Sequence, residues 1–154
     1  MTLTFSSASP SQHDAIYQLM LDAFTPYVIK LDGGPTAGPY PWLEAAIGRG
    51  DVYVGLDGTE VVGIISTVRR EDELVIDQLG VNPSRQGEGI GSWLIEQIEH
   101  TARSEQVTVL SLQTAEMMTD LLRLYTRHGF IETHKALPEH GDDEYLRVHM
   151  KKRL

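Results

Sequence analysis

The alternation of apolar and polar residues along the chain predicts seven β-strands. Each run is rich in β-branched and aromatic residues and is bounded by Gly, Pro, Asn, Asp or charged residues. Asp57-Gly58 joins two of the runs as a β-hairpin, because this dipeptide favours the tight turns that hairpins need. The predicted strands cover residues 3–6, 51–56, 61–68, 74–81, 107–112, 130–135 and 145–150.

Apolar residues at a spacing of three and four predict four amphipathic helices. These helices cover residues 14–24, residues 42–47, a segment after Gly91 that ends near residue 104, and residues 115–127. Residues 25–41 hold three Gly and four Pro, which predicts a long loop.

The order of the predicted elements is β-α-α-β-β-β-α-β-α-β-β. This order is neither a pure βαβ alternation nor a run of strands, so it predicts a mixed α/β sheet with helices on both faces. Residues 74–112 form a βαβ unit in this order, and we expect its two strands to be parallel with a right-handed crossover.

Length, charge and composition then bound the function classes. A chain of 154 residues suits one domain over residues 1–154. The absence of cysteine excludes disulfides, zinc–thiolate sites and cysteine nucleophiles. The formal net charge of −9 disfavours nucleic acid as a partner, because binding to phosphate backbones needs clustered Lys and Arg. An acidic surface attracts amines, although a contribution to solubility is the simpler explanation.

The remaining composition predicts neither a membrane segment nor a metal site. No apolar run approaches the ~18 residues that span a bilayer, and residues 1–10 lack the basic and apolar parts of a signal peptide. We expect a cytoplasmic protein, with which the lack of cysteine is compatible. The six histidines have no metal-ligand spacing. A homodimer through the edge of the C-terminal strand is compatible with the pattern.

The most informative segment is the glycine-rich stretch between the fourth strand and the third helix. An apolar strand ends at Asn82-Pro83, three glycines alternate at Gly87, Gly89 and Gly91, and a helical pattern follows. Free backbone N–H groups at a helix N-terminus bind anions, and glycines let the backbone approach them closely. The segment therefore predicts a ligand that carries phosphate.

Two common phosphate-binding motifs fit this segment poorly. A Walker A loop ends in Gly-Lys-Ser/Thr, whereas Gly91 is followed by Ser92 and Trp93. A dinucleotide fingerprint requires a glycine where Ser92 stands, and it usually follows the first strand of a chain. A nucleotide-binding protein therefore remains only as a weak alternative.

The segment resembles the acyl-CoA-binding motif of the GNAT superfamily of N-acyltransferases. That motif is Gln/Arg-x-x-Gly-x-Gly/Ala, and it is present here as Gln86-Gly87-Glu88-Gly89-Ile90-Gly91. The preceding strand end, Leu79-Gly80-Val81-Asn82-Pro83, and the downstream Leu124-Tyr125-Thr126-Arg127-His128-Gly129-Phe130 resemble two further family elements. The resemblance implies the GNAT fold, a mostly antiparallel sheet of about six to seven strands with helices on both faces.

The resemblance also implies how acetyl-CoA binds. The backbone amides that would hold its pyrophosphate belong to Gln86, Gly87, Glu88, Gly89, Ile90, Gly91 and Ser92. The backbone around Leu79, Gly80 and Val81 would pair with the pantetheine arm like an added strand, at an edge where the strands of residues 74–81 and 107–112 diverge.

For catalysis, the resemblance implies transfer of an acetyl group to a primary amine of a small molecule or peptide. Tyr125 matches the usual general acid of the family, and the Val81 N–H is the implied oxyanion donor. Tyr125 can alternatively be a packing residue. Some members carry a glutamate as base where this chain has Val75. Asp77 is a candidate base or amine anchor, although a structural role is the more ordinary reading of its carboxylate. Because the base is not identified, a non-catalytic acyl-CoA-binding domain on the same fold stays open.

Overall fold

The computed structural model describes residues 2–32, 37–141 and 143–154. Their strands are β1 (Leu3–Ser7), β2 (Val52–Asp57), β3 (Glu60–Arg70), β4 (Glu73–Val81), β5 (Val109–Ala115), β6 (Ile131–Ala136) and β7 (Arg147–Arg153). Their α-helices are α1 (His13–Asp32), α2 (Leu43–Arg49), α3 (Ile90–Ser104) and α4 (Thr119–Arg127). Short 3₁₀ turns lie at Pro10–Gln12 and Pro83–Arg85. The predicted order of strands and α-helices is confirmed.

The seven strands form one sheet in the order β1-β2-β3-β4-β5-β7-β6. β1 with β2, β2 with β3, β5 with β7 and β6 with β7 are antiparallel pairs. β4 and β5 are parallel, with Glu73↔Val109 to Val75↔Ser111 in register, which confirms the strand direction predicted for the βαβ unit. A mostly antiparallel sheet with α-helices is the predicted fold class. The prediction that β4 and β5 diverge beyond this register stays a prediction.

The C-terminal strand is not at the edge of the sheet. β7 pairs with β5 on one side and with β6 on the other, so both of its edges are occupied. The homodimer contact predicted at the edge of the C-terminal strand is therefore wrong in its choice of strand, because β6 is the outer strand here. Whether the protein is a dimer stays a prediction.

The chain divides into two compact units. The first unit contains Met1–Thr67 and Gln78–Gln97, and the second contains Val68–Asp77 and Ile98–Leu154. The prediction that residues 1–154 form one domain is not tested by this division and stays a prediction.

In the first unit, helices cover both faces of the sheet. Val54 and Ile64, which are opposite each other in β2 and β3, belong to a core cluster with residues of α1 and α2 such as Met20 and Leu43. The next pair in the register is Gly55 and Gly63, and it faces α3 because successive residues of a strand point to opposite faces.

The start of α3 packs directly against Gly55 and Gly63. A Cβ atom at Gly55 would lie 2.8 Å from Trp93 Cζ3, and one at Gly63 would lie 2.8 Å from Leu94 Cδ1 and 3.2 Å from Ile90 Cγ2. Distances this short leave no room for a side chain, so two glycines in adjacent strands allow the helix to approach the sheet closely. We call Gly55 and Gly63 the glycine seat. It fixes the position of the first two turns of α3.

The loop predicted over residues 25–41 is wrong for residues 25–32, because α1 continues to Asp32. Pro26 lies inside this helix and removes one backbone donor. The Thr25 hydroxyl donates to the Leu21 carbonyl (2.6 Å) and accepts a bond from the Ala37 N–H (3.0 Å). Thr25, the residue before Pro26, thus links α1 to the chain at Ala37. Residues 33–36 lie outside the described residues.

The helix predicted from residue 115 begins only at Thr119. Instead, β5 runs to Ala115, which is opposite Arg147 of β7. Pairing with β7 outweighs the helix propensity of the Ala-Glu-Met-Met stretch, as tertiary contacts often do. None of the helices in the described ranges is long and apolar enough to cross a membrane.

The glycine seat generates a stability prediction. Gly63→Ala should lower the free energy of unfolding by about 1–3 kcal/mol, because a methyl group would overlap buried side chains of α3. Gly48→Ala is the matched control. Gly48 lies in α2, where an added Cβ has no neighbour within 4 Å among the described residues, so helix propensity should raise stability by about 0.5–1 kcal/mol. Urea unfolding followed by circular dichroism measures both variants. Equal effects of the two substitutions on stability would contradict the close packing of α3 against Gly63.

Candidate functional site: the glycine loop

The glycine loop, residues 86–91, lies between a capped turn and the start of α3. After β4, Asn82 Oδ1 accepts hydrogen bonds from the Ser84 N–H (3.0 Å) and from the Ser84 hydroxyl (3.0 Å). This cap starts the 3₁₀ turn Pro83–Arg85. The Trp93 N–H then donates to the Gly89 carbonyl at 3.0 Å, which is the first turn of α3.

Two glycines of the loop have backbone conformations that other residues rarely adopt. Gly87 has φ +85° and Gly89 has φ +80°, both in the left-handed region. Within the described part of the chain, a Cβ at either position would have no neighbour within 4 Å. Conformation therefore selects glycine here, and the surface in front of both residues is open to a ligand.

The start of α3 carries the groups that suit an anion. The N–H groups of a helix's first turn have no partners within the helix, and the helix dipole favours negative charge there. Ile90 is 1% exposed and would contact a side chain at Gly63, so the helix start is held on the glycine seat. Gln86 and Glu88 are exposed, and Gly91 and Ser92 are partly exposed.

Arg85 makes ion pairs with three carboxylates. Its Nη2 lies 2.8 Å from Asp57 Oδ2, its Nη1 3.0 Å from Glu60 Oε2, and its Nε 3.0 Å from Glu88 Oε2. Asp57 ends β2 and Glu60 begins β3, whereas Glu88 lies in the glycine loop. The Arg85 side chain is only 17% exposed, and the hydrogen bonds to Asp57 and Glu88 raise its pKa above the usual range of arginine.

The strand end predicted to hold the pantetheine arm is packed on one side. A Cβ at Gly80 would lie 3.1 Å from two ring atoms of Phe24, so a side chain here would have to displace that ring of α1. Leu79 and Val81 are partly exposed, and by strand alternation they point to the opposite face. The Asn82 N–H donates to the Val62 carbonyl at 2.9 Å. Binding of a ligand to the Leu79–Val81 backbone stays a prediction.

Tyr125, the predicted general acid, lies on α4 in the second unit. It is 6% exposed, and its ring contacts Phe130 edge-on at a centroid distance of 5.9 Å. This contact accounts for the burial of the apolar ring of Tyr125, as expected for a tyrosine that packs in a core. The packing does not conflict with a role for the hydroxyl, so catalysis by Tyr125 stays a prediction.

The two carboxylates of β4, Glu73 and the candidate base Asp77, have different surroundings. Glu73 is 3.2 Å from Lys151 Nζ. Burial alone would raise the pKa of Glu73, but hydrogen bonds from Ser111 and Lys151 outweigh it and lower that pKa. A carboxylate stabilised in its charged form is a weak base. Asp77 is exposed, and its role as base or anchor stays a prediction.

Aromatic residues around α1 form a packed cluster. Tyr40 lies 5.4 Å from Tyr17, 6.5 Å from Phe24 and 6.0 Å from Trp42, measured between ring centroids. The Tyr40 N–H donates to the Tyr17 hydroxyl at 3.2 Å. Burial, with Tyr17 nearby, raises the pKa of Tyr40 to about 12. These contacts anchor the chain after α1, and Tyr40 and Trp42 pack against the core cluster.

The segment between β6 and β7 is held by a buried ion pair. Arg147 Nη1 and Nη2 donate to the two carboxylate oxygens of Asp143 at 3.0 and 2.7 Å. The side chains are 11% and 9% exposed, respectively. Arg147 Nη1 also donates to the Tyr145 carbonyl at 2.8 Å. The hydrogen bond from Arg147 lowers the pKa of Asp143. Asp142 lies outside the described residues.

No group of three or more His, Asp or Glu side chains in the described ranges could hold a metal ion. The absence of a metal site stays a prediction.

Sequence reasoning missed Arg85 and the glycine seat. Glycines inside two predicted strands are a sequence signal of close approach. For Arg85 the sequence contains only a weaker indication of an ion pair, which is the acidic residue Glu88 three positions later in the loop. Its two other partners are 25 and 28 residues away in sequence, and only the fold brings them together.

Comparison with known proteins matches residues 13–130 to the model of the acetyltransferase (GNAT) family. N-acetyltransferase 8F1 of Rattus norvegicus is 28% identical over 91 residues, which cover 55% of this chain and 41% of that protein. The matched part thus spans about two-fifths of that relative's length.

Solved structures share the fold. Ard1 from Thermoplasma volcanium superposes with a TM-score of 0.81 and 19% identity, over 100% of this chain and 99% of that chain. The structure of yncA from Salmonella typhimurium, solved with its cofactor acetyl-CoA, gives a TM-score of 0.75 and 17% identity, over 100% and 95% of the two chains. At these identities the similarity shows the fold alone.

The ion pair of Asp143 and Arg147 is expected to stabilise the fold. Asp143→Asn should lower the free energy of unfolding by about 3 kcal/mol at neutral pH, because it leaves Arg147 buried without its counter-charge. Asp120→Asn is the control, since Asp120 and Arg123 are 94% and 71% exposed and such pairs contribute less than about 1 kcal/mol.

The pH dependence of the stability of Asp143→Asn tests whether the lost ion pair causes the destabilisation. Because the folded-state pKa of Asp143 is lowered, its contribution is present above the ordinary Asp pKa of about 3.9 and is lost as the pH falls through the folded-state value. The stability difference between wild type and Asp143→Asn should therefore close in acid. Chemical unfolding from pH 7 to pH 2 measures it, and a constant difference contradicts the ion pair as the source.

Proposed function

Because the chain belongs to the acetyltransferase (GNAT) family, we propose that it transfers an acetyl group from acetyl-CoA to a primary amine. The acceptor in this proposal is a small molecule or a peptide. The observation that carries the proposal is the glycine loop, in which two left-handed glycines lead into a helix start that is seated on the sheet.

The glycine loop fits the pyrophosphate of acetyl-CoA. Backbone N–H groups beside left-handed glycines and at a helix start form a concave site for anions. The open surface at Gly87 and Gly89 leaves space for phosphate oxygens. The proposed contacts are the backbone amides of residues 86–92 for the pyrophosphate and the Leu79–Val81 backbone for the pantetheine arm.

The proposed reaction is direct attack of a neutral amine on the thioester carbonyl. The amine nitrogen forms a bond to the carbonyl carbon, and the resulting tetrahedral oxyanion collapses as the carbon–sulfur bond breaks. The amine gives up a proton and the CoA thiolate takes one up, so the products are an amide and CoA thiol. An alkyl amine has a pKa near ~10.4, so the enzyme must bind or generate its uncharged form.

The comparisons support the reaction class but leave the acceptor open. The relative from Rattus norvegicus is an N-acetyltransferase by name, and yncA was solved with acetyl-CoA. The net charge of −9 is compatible with a cationic acceptor. In this proposal Tyr125 protonates the departing thiolate, the Val81 N–H stabilises the oxyanion, and Asp77 or a water relay removes the amine proton. The cytoplasm is the proposed compartment.

A thiol-release assay tests the proposal. Purified protein is incubated with acetyl-CoA and a panel of alkyl amines, polyamines and peptides with free amino groups, and free CoA is measured. Turnover with at least one amine supports the proposal. CoA binding without turnover of any amine would favour the non-catalytic acyl-CoA-binding domain. Stabilisation against heat by ATP or NAD but not by CoA would contradict the choice of ligand.

Gly89→Glu should abolish CoA binding, because a carboxylate would enter the space proposed for the pyrophosphate. Gly50→Glu is the matched control. Gly50 also has φ +80° and no neighbour within 4 Å of an added Cβ in the described ranges, so both variants add the same charge at a residue with the same φ angle. Isothermal titration with CoA measures the affinity. Equal affinities of the two variants would contradict the placement of the pyrophosphate.

Tyr125→Phe should lower kcat about 100-fold for the best amine of the panel, because loss of a general acid typically costs this much. The dissociation constant of CoA should stay within about twofold, since the hydroxyl acts only as the thiol leaves. Tyr53→Phe is the control, because Tyr53 stacks on Phe5 in the β1–β2 pair. An unchanged kcat in Tyr125→Phe, with chemistry limiting turnover, assigns Tyr125 to packing.

A further inference from the structure

The ion pairs of Arg85 join the glycine loop to the β2–β3 hairpin. We call Arg85, Asp57, Glu60 and Glu88 the Arg85 cluster. Asp57 and Glu60 lie on either side of the hairpin turn, where they are opposite each other in the register, and Glu88 lies between the two left-handed glycines. The guanidinium bonds to all three carboxylates at 2.8–3.2 Å.

The position of Glu88 is unfavourable for a loop that binds an anion. A carboxylate next to a pyrophosphate raises the cost of binding, because like charges repel over distances up to the Debye length of about 10 Å. Arg85 binds both Glu88 oxygens through Nε, at 3.2 and 3.0 Å, and so offsets part of the charge of this carboxylate. The formal charges of the three carboxylates and the guanidinium add up to −2, and without Arg85 the net charge of the cluster is −3.

The cluster also restrains the backbone of the loop. Glu88 is flanked by Gly87 and Gly89, the two residues whose φ angles are +85° and +80°, and glycine has the largest conformational freedom of all residues. A contact from Glu88 through Arg85 to a β-hairpin limits that freedom before the ligand binds. Such preorganisation improves affinity because less ordering remains to be done on binding.

We propose that Arg85 is a positioning residue for the acetyl donor, which ties Glu88 to the β2–β3 hairpin and keeps the glycine loop in the shape and the charge that admit the CoA pyrophosphate. This inference rests on the proposed function, since it assumes that the loop binds CoA. Arg85 acts through Glu88 and the loop backbone, and it is assigned no contact with the reacting atoms.

Arginine suits this role better than lysine does. The planar guanidinium offers its N–H groups in several fixed directions, and here Nε, Nη1 and Nη2 each bond to a different carboxylate. A lysine ammonium carries the same charge but is a single point on a flexible chain. Arg85→Lys therefore separates charge from geometry.

The test is isothermal titration of CoA into wild type, Arg85→Gln, Arg85→Lys and the control Arg49→Gln. Arg49 also pairs with an aspartate, Asp51, but it is 62% exposed and lies on α2. In about 0.05 M salt we expect Arg85→Gln to raise the dissociation constant about tenfold. Arg85→Lys should raise it about threefold, and Arg49→Gln should leave it unchanged.

The salt dependence of CoA binding and a second substitution distinguish an electrostatic role of Arg85 from general damage to the fold. In about 0.5 M salt the ratio of the dissociation constants of Arg85→Gln and wild type should shrink to about threefold, because repulsion by Glu88 is screened. Adding Glu88→Gln to Arg85→Gln should restore affinity to within about threefold of wild type, since the exposed carboxylate is gone. General damage to the fold would give the same ratio at both salt concentrations and no rescue.

The outcomes separate the two proposals. If wild type does not bind CoA, the proposed function fails and this inference fails with it. If wild type binds CoA and Arg85→Gln binds it within twofold at both salt concentrations, only the role of Arg85 is overturned. Should Arg85→Gln fail to fold, Arg85→Lys carries the test, and wild-type affinity in that variant at both salt concentrations would overturn the geometric part.

Discussion

The candidate site depends on how closely α3 approaches the sheet in the first unit. Two glycines at one register position of β2 and β3 let Trp93, Leu94 and Ile90 lie where a Cβ would overlap them. A methyl group at either position would push the helix start away from the strands. Since the last two residues of the glycine loop are the first two of α3, the N–H groups there are positioned by this packing. Contacts in the core thereby set the geometry of the surface that is proposed to bind an anion.

An acidic protein that binds an anionic substrate must manage charge locally. The net charge is −9, and the loop itself contains Glu88. The proposed solution has two parts. In the proposal, backbone N–H groups and the helix dipole attract the pyrophosphate without any charged side chain, and Arg85 offsets part of the charge of Glu88 while holding the loop on the hairpin. The remaining negative charge is compatible with the proposed amine acceptor.

The sequence predicted the order of the elements and the glycine loop because both depend on local patterns. Strand periodicity, the Asp57-Gly58 turn and the stop at Asn82-Pro83 need no knowledge of the fold. The errors arose where distant contacts decide. α1 continues past Pro26, where the Thr25 hydroxyl accepts a hydrogen bond from the distant Ala37 N–H, and β5 extends to Ala115, which pairs with Arg147 of β7. Arg85 has partners 25 and 28 residues away, which no local pattern predicts.

In the proposed function, the backbone amides of the glycine loop bind the CoA pyrophosphate. The most direct measurement is an NMR titration of ¹⁵N-labelled protein with CoA, in which each backbone amide is observed separately. We expect the amide signals of Gly87, Gly89 and Gly91 to shift the most and to saturate together at one dissociation constant. Saturable binding of CoA that leaves these three signals in place and shifts other amides would contradict it.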